Sequence, residues 1–183
     1  MNAPSTGPVK ELWLVRHGQT TSNRDGLLAG WDDVSLTEVG EAQARALRER
    51  LAGELFDQAW SSDLLRAVRT AELGYGPVPA DRRLREIDFG ELDRLPWTTL
   101  ATEHKDALLA FDGFVAPGGE SLMQLEERVV GFIDELPPGR HLLFTHGGVI
   151  RLLCHRLGQP EFVQPGTITV IDWHTRTLLR RSA

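Results

Sequence analysis

The sequence predicts an α/β fold, a three-layer sandwich whose mostly parallel central sheet carries helices on both faces. Three observations predict it. Short apolar runs such as Leu12-Trp13-Leu14-Val15 alternate with longer stretches whose apolar residues recur at helical spacing. Two of the strands end alike, in Val15-Arg16-His17-Gly18 and in Phe144-Thr145-His146-Gly147. Finally, a chain of 183 residues that is 41% hydrophobic and 25% charged can bury one sizeable core and needs no second domain.

Taken in order, residues 1–9 read as a polar, disordered lead-in and residues 10–183 as a single domain. Lys10 to Val15 is the first strand. Thr20 to Ser35 reads as a Gly-containing loop anchored by Trp31. Thr37 opens a helix with Val39, Ala42, Gln43, Ala46, Leu47 and Leu51 on one stripe. Phe56 to Trp60 is a short strand, and Ser61-Ser62-Asp63 caps a helix from about Leu64 to Leu73 that carries Arg66 and Arg69. Arg82 to Asp93 is charged and irregular, and Trp97 to Phe111 reads as a helix. Ser121 with Gln124 three residues on is a capping-box signature, and the helix it starts is stopped by Pro137-Pro138-Gly139. His141 to Thr145 is a second buried strand with a helix directly behind it. Ile168 to Trp173 and Leu178 to Arg181 form a final strand or hairpin.

Composition narrows the function. A net charge of −6 argues against a nucleic-acid binder, which needs a basic surface. No apolar run approaches the roughly 20 residues of a membrane span, and the start lacks the apolar centre of a signal peptide. The single cysteine, Cys154, cannot form an internal disulfide, which points to a reducing cytoplasm. It falls in an apolar helical run and reads as core.

In an open α/β sheet, ligands bind beyond the carboxyl ends of the strands. Two strand-end histidines reach one crevice if their strands are neighbours. Arginine offers a fixed fork of donors suited to phosphate oxygens, so Arg16 and Arg66 join them. An imidazole is a nucleophile when neutral and stabilises an anion when protonated. One His attacking phosphorus, with the other and two arginines holding the oxygens, suffices for phosphoryl transfer. A carboxyl group must still protonate the departing oxygen, and Glu86 and Asp88 are the candidates. His104, His141, His155 and His174 read as packing or surface residues, and Arg69 as a solvated helix arginine. The Trp side chains read as anchors, with Trp31 or Trp97 able to rim a pocket. No His-Glu-x-x-His pattern exists, so no metal and no cofactor is expected.

At this point the chain resembles the histidine phosphatase superfamily, in its phosphoglycerate-mutase-like branch. The likeness rests on Leu14-Val15-Arg16-His17-Gly18-Gln19-Thr20 with Asn23, on Gly30-Trp31-Asp32, and on Leu36-Thr37-Glu38-Val39-Gly40. It continues through Ser61-Ser62-Asp63-Leu64-Leu65-Arg66-Ala67, Arg85-Glu86-Ile87-Asp88-Phe89-Gly90, Pro117-Gly118-Gly119-Glu120-Ser121 and Thr145-His146-Gly147-Gly148-Val149-Ile150-Arg151. The resemblance implies that His17 becomes a phosphohistidine and that Arg16, Arg66 and His146 form the phosphate pocket. It makes Glu86 the proton donor and then the base for water. Thr20, Asn23 and the Gly147 amide contact phosphate oxygens. A helix starting at Gly147 favours an anion on physical grounds as well.

The implied function is hydrolysis of a small phosphorylated metabolite, with α-ribazole phosphate phosphatases and broad-specificity phosphatases as the nearest kinds. A cofactor-dependent phosphoglycerate mutase is the alternative. The family's mutases place an Arg directly after the proton-donor Glu, where this chain has Ile87, and carry a more basic insertion than Leu92 to Gly119. A non-catalytic phosphate-binding module is the alternative of another class, although every residue the chemistry needs is present. The resemblance allows a homodimer, and the segment from Asp93 to Phe114, which reads Gly90-Glu91-Leu92-Asp93-Arg94 at its start, is expected to choose the leaving group.

Overall fold

Strand β1 (Lys10–Arg16) lies in the middle of a five-stranded sheet of order β2-β3-β1-β4-β5, with β2 at Gln58–Ser61, β3 at Gly139–Thr145, β4 at Ile168–Asp172 and β5 at Thr177–Ser182. The computed structural model describes residues 9–160 and 162–182. The lead-in expected over residues 1–9 falls, apart from Val9, outside the described residues. β2, β3 and β1 run parallel, and the terminal hairpin β4–β5 adds to them antiparallel, making the sheet mixed.

Side chains alternate along a strand, and β1 divides its apolar residues accordingly. Leu12 and Leu14 join the core formed with α5 (Leu122–Glu135) and α6 (Gly147–Arg156). Trp13 and Val15 join a second cluster with α2 (Glu38–Leu51) and α3 (Leu65–Gly74). All four are 4% exposed or less, so each contributes on the order of 2 kcal/mol of transfer free energy. A strand buried on both faces has no room for the polar alternation of a surface strand, which is why its sequence reads as a continuous apolar run.

Three local expectations change. The stretch after β1 is not all loop: Thr20 and Asn23 cap each other reciprocally and open the short helix α1 (Thr21–Asp25). Trp97 to Phe111 is not one helix. A 3-10 turn at Trp97–Thr99 is followed by extended Leu100 and Ala101 and then by α4 (Thr102–Ala110). The break lets Leu100 enter the core while Trp97 turns to the cleft. In α2 the buried residues are Gly40, Ala44, Leu47 and Leu51, whereas Val39 is 55% exposed and Ala42 and Ala46 face solvent. The helix is rotated because Gly40 packs on the loop after β1, where a Cβ would lie 2.0 Å from the Gln19 carbonyl oxygen. Leu47 and Leu51 of the expected stripe are buried, but Gly40 and Ala44 complete the inner face in place of Val39, Ala42 and Ala46, because glycine carries no hydrophobic signal.

Ser121 and Gln124 form the expected capping box at the start of α5. Among the described residues no helix is long and apolar enough to cross a membrane.

Candidate active site

In the β1–β3 register Arg16 pairs with Thr145, so the next residue of each strand, His17 and His146, emerges side by side. Their ring centroids lie 5.1 Å apart. β4 runs antiparallel to β1, which brings the segment leading into it, residues 162–167, to the same end of the sheet. The resulting pocket holds about 260 Å³.

His17 is almost wholly buried, and its Nδ1 meets the Gly18 carbonyl oxygen at 2.8 Å. A carbonyl only accepts, so Nδ1 carries the proton and Nε2 keeps its lone pair. Burial, and then the neighbouring Arg66 and Arg16, pushes this imidazole well below its usual range and leaves it neutral at pH 7. The loop that presents it is clamped. The Gly18 amide donates to Thr70 Oγ1 at 3.1 Å, and that hydroxyl donates to the Arg66 carbonyl at 2.7 Å. A Cβ on Gly18 would lie 2.2 Å from the Gly40 carbonyl oxygen.

His146 is fully buried behind His17 and does not form part of the pocket wall. Its Nε2 lies 2.7 Å from Ser62 Oγ, which also accepts the Leu64 amide at 3.3 Å. Ser62 can supply its hydroxyl proton to Nε2, which places the imidazole proton on Nδ1. Nδ1 is a buried donor with no partner among the described residues. Burial, then Arg66, lowers this imidazole as well.

Both arginines are fixed by backbone carbonyls. Arg66 is 1% exposed and donates to the carbonyls of Asp32 at 2.9 Å, Ala29 at 3.2 Å and Gly30 at 2.6 Å. Arg16 Nη1 donates to the Val163 carbonyl. The Nε atoms of both arginines are buried without a partner among the described residues. Burial lowers both guanidinium groups while Glu86 raises them, and both stay charged at neutral pH.

Glu86 occupies the pocket with its two oxygens held separately. Oε1 accepts the Ile87 amide and Oε2 the Gly148 amide, each at 3.0 Å. Its backbone carbonyl accepts from Trp31 Nε1 at 2.8 Å and from Arg128 Nη2 at 2.7 Å. Thr20, Asn23 and Gly147 also line the pocket. Thr20 Oγ1 and Asn23 Oδ1 accept from each other's backbone amides at 3.1 Å. This leaves the hydroxyl proton and the amide NH2 for a ligand. Gly147 lets α6 start against Arg16, since a Cβ there would lie 3.1 Å from Arg16 Cζ.

The structure therefore brings His17, Arg16, Arg66, Glu86, Thr20, Asn23 and Gly147 around one pocket, with His146 behind it. Asp88 faces elsewhere, accepting the Gly90 amide at 2.9 Å. Trp97 lines the pocket and Trp31 does not. Arg69 is 42% exposed and pairs with Glu41 and Glu72 on the surface. His104, His141, His155 and His174 stand outside the pocket wall. Among the described residues no group of three or more His, Cys, Asp or Glu is arranged for a metal ion.

Sequence reasoning missed the residues that hold the site. Arg128 makes a two-pronged ion pair with Glu120, at 2.8 Å on each prong, and spends its remaining donors on the carbonyls of Arg83, Arg85 and Glu86. Asp93 accepts the amides of Gly30 and Trp31 and so shapes the loop whose carbonyls hold Arg66. Ser62 orients His146. Arg151 lines the pocket from α6. Ser62 and Arg151 stood in matched motif blocks; for Arg128 and Asp93 no local signal distinguished them from surface charges.

Two arginines, two histidines and a carboxylate thus cluster at the ends of the parallel strands β1 and β3. The sequence model for the histidine phosphatase superfamily (branch 1) matches residues 12–180, and the chain belongs to that family. It is 37% identical over 168 residues to "Probable phosphoglycerate mutase GpmB" of Cronobacter sakazakii, covering 84% of this chain and 78% of the relative. The crystal structure of phosphoglycerate mutase from Thermus thermophilus superposes with a TM-score of 0.90 at 49% identity, over 95% of this chain and 99% of that one. A "putative alpha-ribazole-5'-P phosphatase" from Escherichia coli superposes with a TM-score of 0.79 at 30% identity, over 94% and 96%. The names of these relatives divide between mutase and phosphatase.

Proposed function

We propose that this chain is a phosphomonoester hydrolase that acts on a small phosphorylated metabolite through a phosphohistidine on His17. The observation that carries the reading is the neutral, Nδ1-anchored imidazole of His17, with its nucleophilic Nε2 among Arg16, Arg66 and Glu86.

In the first step Nε2 attacks phosphorus and the bond to the ester oxygen breaks. Glu86, as the acid, gives its proton to that departing oxygen. Arg16, Arg66 and the Gly147 amide hold the phosphoryl oxygens, with His146 enclosed behind them. They were fixed beforehand by carbonyl and hydroxyl partners, so charge develops against donors that need not reorganise. In the second step Glu86 takes a proton from water, the hydroxide attacks phosphorus, and the P–N bond breaks to release phosphate and regenerate His17.

Hydrolysis is favoured over mutase action because a mutase must also hold a second phosphate. Directly after Glu86 stands Ile87, a core side chain 3% exposed. Mutase action is the second reading, favoured by the names of several relatives. Assays with p-nitrophenyl phosphate and 3-phosphoglycerate, with and without bisphosphoglycerate, separate the two. Released phosphate is expected to dominate; 2-phosphoglycerate formed faster than phosphate overturns hydrolysis.

A further inference from the structure

Polarity in the pocket is segregated. Arg16, His17, Thr20, Asn23, Arg66 and Glu86 gather at the strand ends, and the space beyond them is walled by Leu27, Phe89, Trp97, Phe111, Phe162 and Val163. Phe162 is 64% exposed at the rim and extends the aromatic wall made by Trp97 and Phe111. Arg151, the cation on this side, is enclosed. Its guanidinium carbon lies 4.7 Å from the Phe111 ring centre and 4.1 Å from that of Phe162. With rings against the guanidinium and each Nη atom on a carbonyl, it is held in place and props the aromatic walls.

Building on the hydrolase reading, we propose that the specificity subsite formed by Trp97, Phe111 and Phe162 takes phosphomonoesters whose alcohol portion is a flat, apolar ring system. It discriminates against short carboxylate-bearing esters of the phosphoglycerate and phosphoserine type. A ring entering these walls leaves water on both faces. A carboxylate placed there gives up its hydration to face mainly apolar side chains. Phe162 and Val163 belong to one short segment, and the Val163 carbonyl accepts from Arg16. The same segment thus touches the phosphate end and the leaving-group end, so the ring is sensed next to the reacting phosphoryl group.

Phosphonates that cannot be hydrolysed test the subsite independently of turnover. Titration calorimetry at fixed ionic strength compares benzylphosphonate with 3-phosphonopropionate on the full chain. Burial of one aromatic ring predicts that benzylphosphonate binds tighter by about 10- to 100-fold. Phe162→Ala, at an exposed position where unfolding is not at issue, is expected to shrink that ratio several-fold, and Trp97→Ala to shrink it further. Equal affinities, tighter binding of 3-phosphonopropionate, or a ratio unchanged in both variants overturns the proposal. Turnover of 2-phenylethyl phosphate and O-phosphoserine, two alkyl esters, is measured in parallel. A protein that prefers benzylphosphonate yet releases no phosphate from any ester contradicts the hydrolase reading and leaves the subsite standing. Brisk release from both esters with no preference between the phosphonates does the reverse.

Discussion

Gly148 and Glu86 meet in the pocket at a distance that admits no side chain. The Gly148 amide donates to Glu86 Oε2 at 3.0 Å, and a Cβ on residue 148 would lie 2.2 Å from Oε1. The obstructed atom is the end of a flexible side chain, so Gly148→Ala moves the carboxylate and leaves the backbone in place. Alanine also favours the helix by up to about 1 kcal/mol. The variant is expected to keep its melting temperature within a few degrees while kcat falls about 100-fold, the scale of a displaced general acid. Steady-state kinetics beside a thermal melt check this. Unchanged kcat would detach Glu86 from the chemistry.

Asp93 acts on the phosphate pocket through two intermediaries. Its carboxylate accepts the Gly30 and Trp31 amides, and the carbonyls of Ala29, Gly30 and Asp32 fix Arg66. Asp93→Asn turns one acceptor into a donor facing an amide. It is expected to raise KM, and Kd for inorganic phosphate, about tenfold, the cost of roughly one good hydrogen bond. Asp93→Glu should recover part of that loss. Equal affinities in all three proteins would confine Asp93 to the loop fold.

The buried imidazoles set an acid limit on stability. Burial, then Arg66, pushes both His17 and His146 well below the usual value, so in the folded protein they stay neutral where an unfolded chain already takes up protons. The unfolded state therefore binds more protons below about pH 6.5, and stability is lost as pH falls from there towards the folded values. Each imidazole contributes a slope of about 1.4 kcal/mol per pH unit in that window and none above it. Urea unfolding in phosphate-free buffer at pH 7.5 and 5.5 is expected to show the loss. His17→Gln combined with His146→Gln should flatten it. The same pH dependence in both proteins would contradict the neutral assignment.

The sheet and the site were legible in the sequence to different depths. The repeated strand ending in Arg16-His17 and Thr145-His146 was visible because a buried strand is a continuous apolar run and its polar successor stands out. The parallel pairing of β1 with β3 turns that repetition into a 5.1 Å ring separation. The face of α2 was read only in part: Leu47 and Leu51 are buried as expected, but the contact that orients the first turns is made by Gly40 against Gln19, where the informative feature is a missing side chain. Arg128, Asp93 and Ser62 escaped for a related reason. Each works through a backbone group or ring distant in the chain, and as a residue type it reads as a solvated side chain until the fold closes.

Transfer to His17 is the step on which the account depends. Protein mixed with a 32P-labelled phosphomonoester, quenched in base within the first turnover and mapped by mass spectrometry, is expected to carry one acid-labile, base-stable phosphoryl group on His17. His17→Ala should carry none and release no phosphate. Label on another residue, or phosphate released at the wild-type rate by His17→Ala, would contradict the mechanism.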